Sequence, residues 1–287
     1  METAARFRSL PPEQIGAMHV VLDSGGSELL PELSVARDAS DWRPDWKTQL
    51  ISQLLTLRRE TLIDVGANRG QTLLDYLSVP DTHGYLGFEP NYYCASLVSD
   101  IIASARRSDC RIVPAGLSDR NGLQQLLLDP EENLDPSASL DVSLRPGRSW
   151  KEQFAACYRF DDIRAALQIG KIGLLKIDVE GAELPVLLGM EASIVKDQPW
   201  ILCEVLHRDF MAEESNHQQR LDALMSWISR VDYVCLNVVK SADNLRATEL
   251  VAMPAIPNKV WTWENAIQCD YLFAPRADTG SLIEALR

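Results

Sequence analysis

Apolar positions along the chain fall into two periods. The first sustained segment, "PDWKTQLISQLLTLRRE", places Trp46, Leu50, Leu54 and Leu57 on one face at helical spacing, and Ile51 and Leu55 widen that face. Arg58 and Arg59 suit the negative end of such a helix. It runs straight into "TLIDV", a short apolar stretch of strand length. Six further strand-like runs follow: Gly84–Glu89, a run from Cys110 onward, Lys171–Val179, Pro199–Leu206, "DYVCLNVV" and "CDYLFAP". Helical patterns lie between most of them, the clearest being "RLDALMSWISR", with Leu221, Leu224, Met225 and Ile228 on one side. Continuous apolar strands separated by helices predict an α/β fold, a Rossmann-like, mostly parallel sheet with helices on both faces.

Two regions break the pattern. Residues 1 to about 44 contain Pro11, Pro12, Pro31, Pro44 and Gly25-Gly26, and offer only "MHVVL" as a short strand. The segment 121–163 mixes strand-like pieces with prolines and acids, and is long for a plain connection. It reads either as a flap facing a substrate or as a disordered surface insertion. The predicted organisation is an N-terminal extension with a helix, residues 1–60, and one α/β domain, residues 61–287, carrying 121–163 as an insert.

Composition narrows the function classes. Of 287 residues, 46% are hydrophobic, enough for a real core. A net charge of −13 argues against nucleic-acid phosphates and anionic membrane surfaces as partners. There is no apolar run of membrane-spanning length and no secretory h-region in "METAARFRSLPPEQ". The six cysteines are scattered without a C-x-x-C pair, which predicts reduced, buried thiols. The expected setting is soluble and cytoplasmic.

Parallel sheets bind ligands at the carboxyl ends of their strands, so the residues there carry the candidate chemistry. At the first strand end, Asp64 precedes Gly66, Asn68 and Gly70 in "DVGANRG". Asn68 stands where a dinucleotide motif has its second glycine, so the G-x-G-x-x-G pattern fails. Asp64 needs a partner, either a ligand amine or a hydrogen bond within the turn. Glu89 ends the second strand, about 20 residues beyond the glycines, where a carboxylate grips a ribose diol; a solvated strand-end acid is the ordinary alternative. After the third strand, Leu117 and Ser118 either face an adenine ring or form a simple turn. The fourth ends in "IDVEGAE", where Asp178 and Glu180 flank Val179; one of them could simply cap the following helix. Glu204 lies in the fifth strand and needs a partner or a proton, and His207 follows it. His19 and His83 have no such context, and His217 reads as a solvated residue at a helix start.

Taken in order, "LIDVGANRGQ", "FEPN", "YRFDDI", "LLKIDVEGAELPVLLGM", "PWILCEV" and "CDYLFAP" resemble the FkbM family of S-adenosylmethionine-dependent methyltransferases, over about residues 61–275. The resemblance implies the class I methyltransferase fold, a seven-stranded sheet whose last strand is antiparallel. It implies S-adenosyl-L-methionine as cofactor and O-methylation of a hydroxyl on a natural product or sugar. Carried over, Asp64, Gly66, Asn68 and Gly70 would line the methionine part, Glu89 would bind ribose, and Leu117 and Ser118 the adenine. Asp178 and Glu180 would lie beside the methyl group. The family leads one to expect a histidine or similar residue nearer Glu204 than His207 is.

Methyl transfer to a hydroxyl needs alignment and a base for the proton. Asp178, Glu180 and His207 are the catalytic candidates. Asp178 and Glu204, ending adjacent strands, could hold Mg²⁺ through a water shell, although two hydrogen-bonded acids explain the pair as well. The acceptor is expected to be a small hydroxyl-bearing molecule, macrolide-like or a sugar. Methylation of an amine and a non-catalytic binding protein of the same fold remain alternatives; an NAD-dependent dehydrogenase lacks its motif. Arg145 and Arg148 could meet an acidic group on the acceptor, or be solvated. Trp42, Trp46 and Trp150 read more simply as packing residues. The N-terminal helix is a candidate homodimer contact.

Overall fold

The computed structural model describes residues 4–6, 42–80, 84–135, 137–141 and 145–286. "MHVVL", His19 and His83 lie outside the described residues. Five parallel strands form the middle of the main sheet: β2 (Thr61–Val65), β3 (Tyr85–Phe88), β4 (Cys110–Val113), β8 (Ile172–Ile177) and β9 (Trp200–Glu204). Their order is β4-β3-β2-β8-β9. Every residue of β2, β3 and β8 is buried, which is why these strands read as apolar runs and do not alternate. Next to β9 lies β12 (Asp270–Pro275), antiparallel, then β10 (Tyr233–Lys240), antiparallel to β12.

These seven strands are the expected class I core, yet the sheet has nine. Beyond β10 come β11 (Ala247–Ala252) and the three-residue β1 (Ala4–Arg6), both antiparallel to their neighbours. "ATELVA", second from the sheet edge, has polar residues at half-buried positions, so it lacks the apolar signal of the central strands.

The helix α1 spans Trp46–Leu57. Asp45 caps it, accepting from Lys47 N at 2.7 Å and Thr48 N, while Thr48 Oγ1 accepts from Asp45 N at 3.2 Å. Trp46, Leu50, Ile51, Leu54 and Leu55 pack into one core with Leu62, Leu174, Leu202 and Leu236 of the sheet. Leu57, placed on this face by spacing, is 43% exposed, because the chain turns into β2 there. The buried apolar face of α1 is thus packed against its own sheet.

Among the described residues, the other α-helices are α2 (Gln71–Leu77), α3 (Tyr92–Ala105), α4 (Phe160–Leu167), α5 (Glu183–Gly189), α6 (Glu191–Asp197), α7 (Glu214–Arg230) and α8 (Thr279–Ala285). His217, in the first turn of α7, is buried and not solvated. Burial lowers its pKa to about 4, helped by Arg220 and Arg208. All six cysteines are buried free thiols. The segment 121–163 holds two strands of a three-stranded sheet, β5 (Gly116–Leu117), β7 (Lys151–Tyr158) and β6 (Gly122–Leu128), in that order, with a small core of Leu126, Leu128 and Ala155. Among the described residues no helix is long and apolar enough to cross a membrane.

Candidate active site

At the end of β2 the chain must turn at once into α2. Gly66 and Ala67 both donate to Phe88 O at 3.0 Å. Gly66 has φ +78°, and a Cβ there would fall 1.9 Å from Asp178 O. Only glycine fits, so bare backbone forms the floor between β2 and β8. Gly70, at φ +88°, begins α2 and packs on Ile101 and Val98.

Glu89 follows β3, almost wholly buried. Its two carboxylate oxygens accept from Asn68 N and Asn91 N, each at 2.7 Å. Burial raises its pKa to about 7, against the pull of these N–H groups. The Leu117 side chain, Asn68, Gly66, Asp178 and Glu180 join Glu89 around one crevice. As it stands the crevice has about 50 Å³, room for a few waters. Leu126, Ala138 and Leu140 of the inserted sheet and its loops roof it.

Asp64 lies beneath this crevice, with no exposure. Tyr85 Oη donates to its Oδ2 at 2.6 Å, and Lys176 Nζ lies 3.3 Å from its Oδ1. Lys176 also lies 3.4 Å from Asp178 Oδ2 and donates to Gly66 O at 2.9 Å. Asp64 and Lys176 are opposite one another in the β2/β8 register. Asp64 therefore holds the floor up and does not line the crevice. Burial would lower the lysine's pKa, yet Asp64 and Asp178 raise it, so it stays charged.

Carboxylate oxygens of Asp178, Glu180 and Glu204 lie within 4.8 Å of one another. Burial works against the charge on Asp178, but Lys176, a hydrogen bond from Glu204 and Lys47 hold it below its ordinary pKa. Glu204 is driven well above the usual carboxylate range by burial and by the charges of Asp178 and Asp270, so the shared proton sits on Glu204. Glu180 is pushed up to about 7 by burial, opposed by Arg145 at 2.5 Å. It adopts φ +54°, rare for glutamate, with its carbonyl accepting from Ser139 Oγ at 2.6 Å. Each of the three acids thus has a proton or a protein cation of its own. The same three oxygens are close enough together to hold a cation such as the Mg²⁺ considered above, or to share protons among themselves.

A second cavity, of about 230 Å³, lies on the other side of Asp178. Glu204, Lys176 and Asp178 form one wall; Trp46 and Lys47 of α1, with Lys240, Asn244 and Asp270, form the other. Asp178 borders both this cavity and the roofed crevice.

Ser118 and His207 are elsewhere. Ser118 packs its carbonyl against Gly189 of α5, where a Cβ would come within 2.0 Å, and its N–H donates to Tyr158 O. His207 lines a third cavity with Arg145, Phe210 and Trp261, and burial, then Lys259, lowers its pKa. Arg145 and Arg148 are part-exposed but paired within the protein, with Glu180 and Asp129. Lys176 is the site residue that motif reading passed over. Its signal was a lone lysine in the apolar run "IGLLKI", a residue type that is almost never buried unpaired.

The Methyltransferase FkbM domain profile matches residues 64–235. Among solved structures, the chain is similar to methyltransferase FkbM from Methylobacillus flagellatus, with 15% identity and a TM-score of 0.45, over 84% of this chain and 59% of that one. The chain thus spans less than two thirds of that protein. A putative O-methyltransferase from Klebsiella pneumoniae is 9% identical over 83% of this chain and 96% of its own, with a TM-score of 0.44. The O-methyltransferase from Bacillus cereus, in complex with SAH, is 10% identical over 83% and 97%, also with a TM-score of 0.44. No curated protein sequence matches the chain. With its strand order, its glycine turn after β2 and the matched span on the page, the chain belongs to the FkbM methyltransferase family.

Proposed function

We propose that the protein transfers the methyl group of S-adenosyl-L-methionine to a hydroxyl of a small-molecule acceptor. The observation that carries this reading is the place of Asp178, shared by the crevice that Glu89 lines and by the second cavity. A nucleoside cofactor fits the crevice residues. Glu89 is fixed through both oxygens and still has lone pairs for a diol. The backbone floor at Gly66 admits close approach, and Leu117 offers an apolar surface for a base.

When bound, the cofactor supplies an electrophilic methyl group and its own leaving group. The protein's part is alignment and proton handling. The second cavity holds the acceptor. Asp178, ionised, receives the hydrogen bond of the acceptor hydroxyl. The cluster of Asp178, Glu204 and Glu180 then takes the proton as a unit. His207, in another cavity, has no part in this step. An amine acceptor is the second reading, since an acidic cluster also attracts an ammonium; Lys176 and Lys47 beside Asp178 weigh against it.

The test is calorimetric titration with S-adenosylhomocysteine, with NAD as control and Glu89→Ala alongside. Saturable binding of the first ligand alone, lost in the variant, supports the reading. No binding by folded protein at millimolar ligand sinks it and favours a non-catalytic protein of the same fold.

A further inference from the structure

The second cavity has a charge pattern that its role as acceptor pocket does not by itself require. Three ammonium groups and three carboxyl groups line it. Lys176 is committed to Asp64, Asp178 and Gly66 O. Lys240 is paired with Asp270 and lies 4.3 Å from the Trp46 ring centroid. Glu204 is bound to Asp178 by the shared proton. Lys47 is the exception. Among the described residues its ammonium forms neither a hydrogen bond nor an ion pair, although Asp45, Asp75 and Asp178 are near enough to outweigh burial and keep it charged. A second orphan shares the wall: Asn244 Oδ1 is buried without a hydrogen-bond donor. A half-buried cation and a buried amide oxygen both lack partners in the same cavity, and each leaves free energy for a ligand to recover.

Resting on the acceptor-pocket reading above, we propose that the acceptor is a compact hydroxy acid whose anionic group is held by Lys47. The reactive hydroxyl lies at Asp178, where the two cavities meet, and a further hydroxyl donates to Asn244 Oδ1. The other acids on the wall do not repel the ligand's anion strongly, because Asp178 and Asp270 each have a lysine of their own. Size limits the acceptor as well. A cavity of about 230 Å³ is below the range of about 300–1,000 Å³ that holds drug-sized ligands. A single substituted ring fits it, whereas a macrolide would enter only by an edge. Trp46, Lys47, Lys240, Asn244 and Asp270 all lie outside the span 64–235, so this selectivity is built by the helix before the family domain and the strands after it.

Ligand-observed NMR with saturating S-adenosylhomocysteine tests the proposal with two matched pairs, D-glucuronate against D-glucose and 3-hydroxybenzoate against 3-hydroxybenzyl alcohol. The wild-type protein is expected to bind at least one acid about fivefold or more tighter than its neutral partner. Lys47→Met is expected to abolish that preference and Lys47→Arg to retain it, with S-adenosylhomocysteine affinity equal in all three proteins. No preference for either acid in the wild type, including no binding at all, overturns the proposal. So does a preference that survives in Lys47→Met. Failure of S-adenosylhomocysteine to bind, with the Lys47-dependent preference intact, would instead overturn the methyl-transfer reading and leave the anion site standing.

Discussion

Glu89 joins a structural cost to the diol-binding role proposed for it. Its carboxylate is buried and its pKa is raised to about 7 from 4.5. The fold therefore favours its neutral form. That contribution to stability is complete below pH 4.5 and is lost as the pH rises through about 7. A diol needs the opposite form, because its two hydroxyls donate to an ionised carboxylate. Affinity for S-adenosylhomocysteine is therefore expected to fall roughly tenfold from pH 8 to pH 6. Calorimetry across this range checks it, with Glu89→Gln expected to bind more weakly and with a flatter pH profile. Equal slopes in both proteins would move the titration to another group, Glu180 being the candidate, since it too is raised to about 7.

Between elements, the Asp64–Lys176 contact joins β2 to β8 directly beneath the crevice. A buried pair of this kind is costly to break from one side, because the other charge is left without a partner. Lys176→Met is expected to destabilise the protein by about 3–5 kcal/mol. Asp64→Asn combined with Lys176→Met is expected to recover part of that loss, since the stranded carboxylate is gone and Tyr85 still has an acceptor. Urea unfolding of wild type, both single variants and the double variant measures the coupling. Additive effects would mean that the contact contributes nothing to the joint between the strands.

Across the whole molecule, the inserted sheet is tied down on three sides of the crevice. Arg69 pairs with Glu132 and donates to Leu134 O at 2.8 Å, Asn91 Nδ2 donates to Asn133 O at 2.8 Å, and Arg145 and Ser139 hold Glu180. With about 50 Å³ below it, this roof has to lift for a nucleoside to enter. We propose that it acts as a flap and that these polar ties set the rate at which it opens. Arg145 and Glu180 are partly exposed, so their pair contributes about 1 kcal/mol. Arg145→Ala is expected to speed S-adenosylhomocysteine release about fivefold in stopped-flow measurements. An unchanged rate would mean that the roof opens elsewhere.

The central strands were legible from the chain alone because burial on both faces forces a continuous apolar run, and the glycine turn because φ near +80° admits little else. Gly66, Asn68, Glu89, Leu117, Asp178 and Glu180, expected at or just after strand ends, do line one crevice, because topology puts strand ends together. Local pattern could not tell which way an acid points or what meets it. Asp64 and Glu89 look alike in sequence, each at the end of an apolar strand, yet one is under the floor and the other lines the crevice. Their roles separate only when Tyr85 and Lys176 arrive from β3 and β8. Ser118 and His207 were near the right strands but packed against other elements. The second cavity needed α1, β8, β9, β10 and the start of β12 together, residues as far apart as Lys47 and Asp270. No local spacing encodes such a meeting, because it depends on how the sheet twists and on which helix covers its edge. Sequence thus determined the sheet and the strand ends where chemistry can occur, while tertiary packing decided which acids are sealed beneath the floor and which line the crevice.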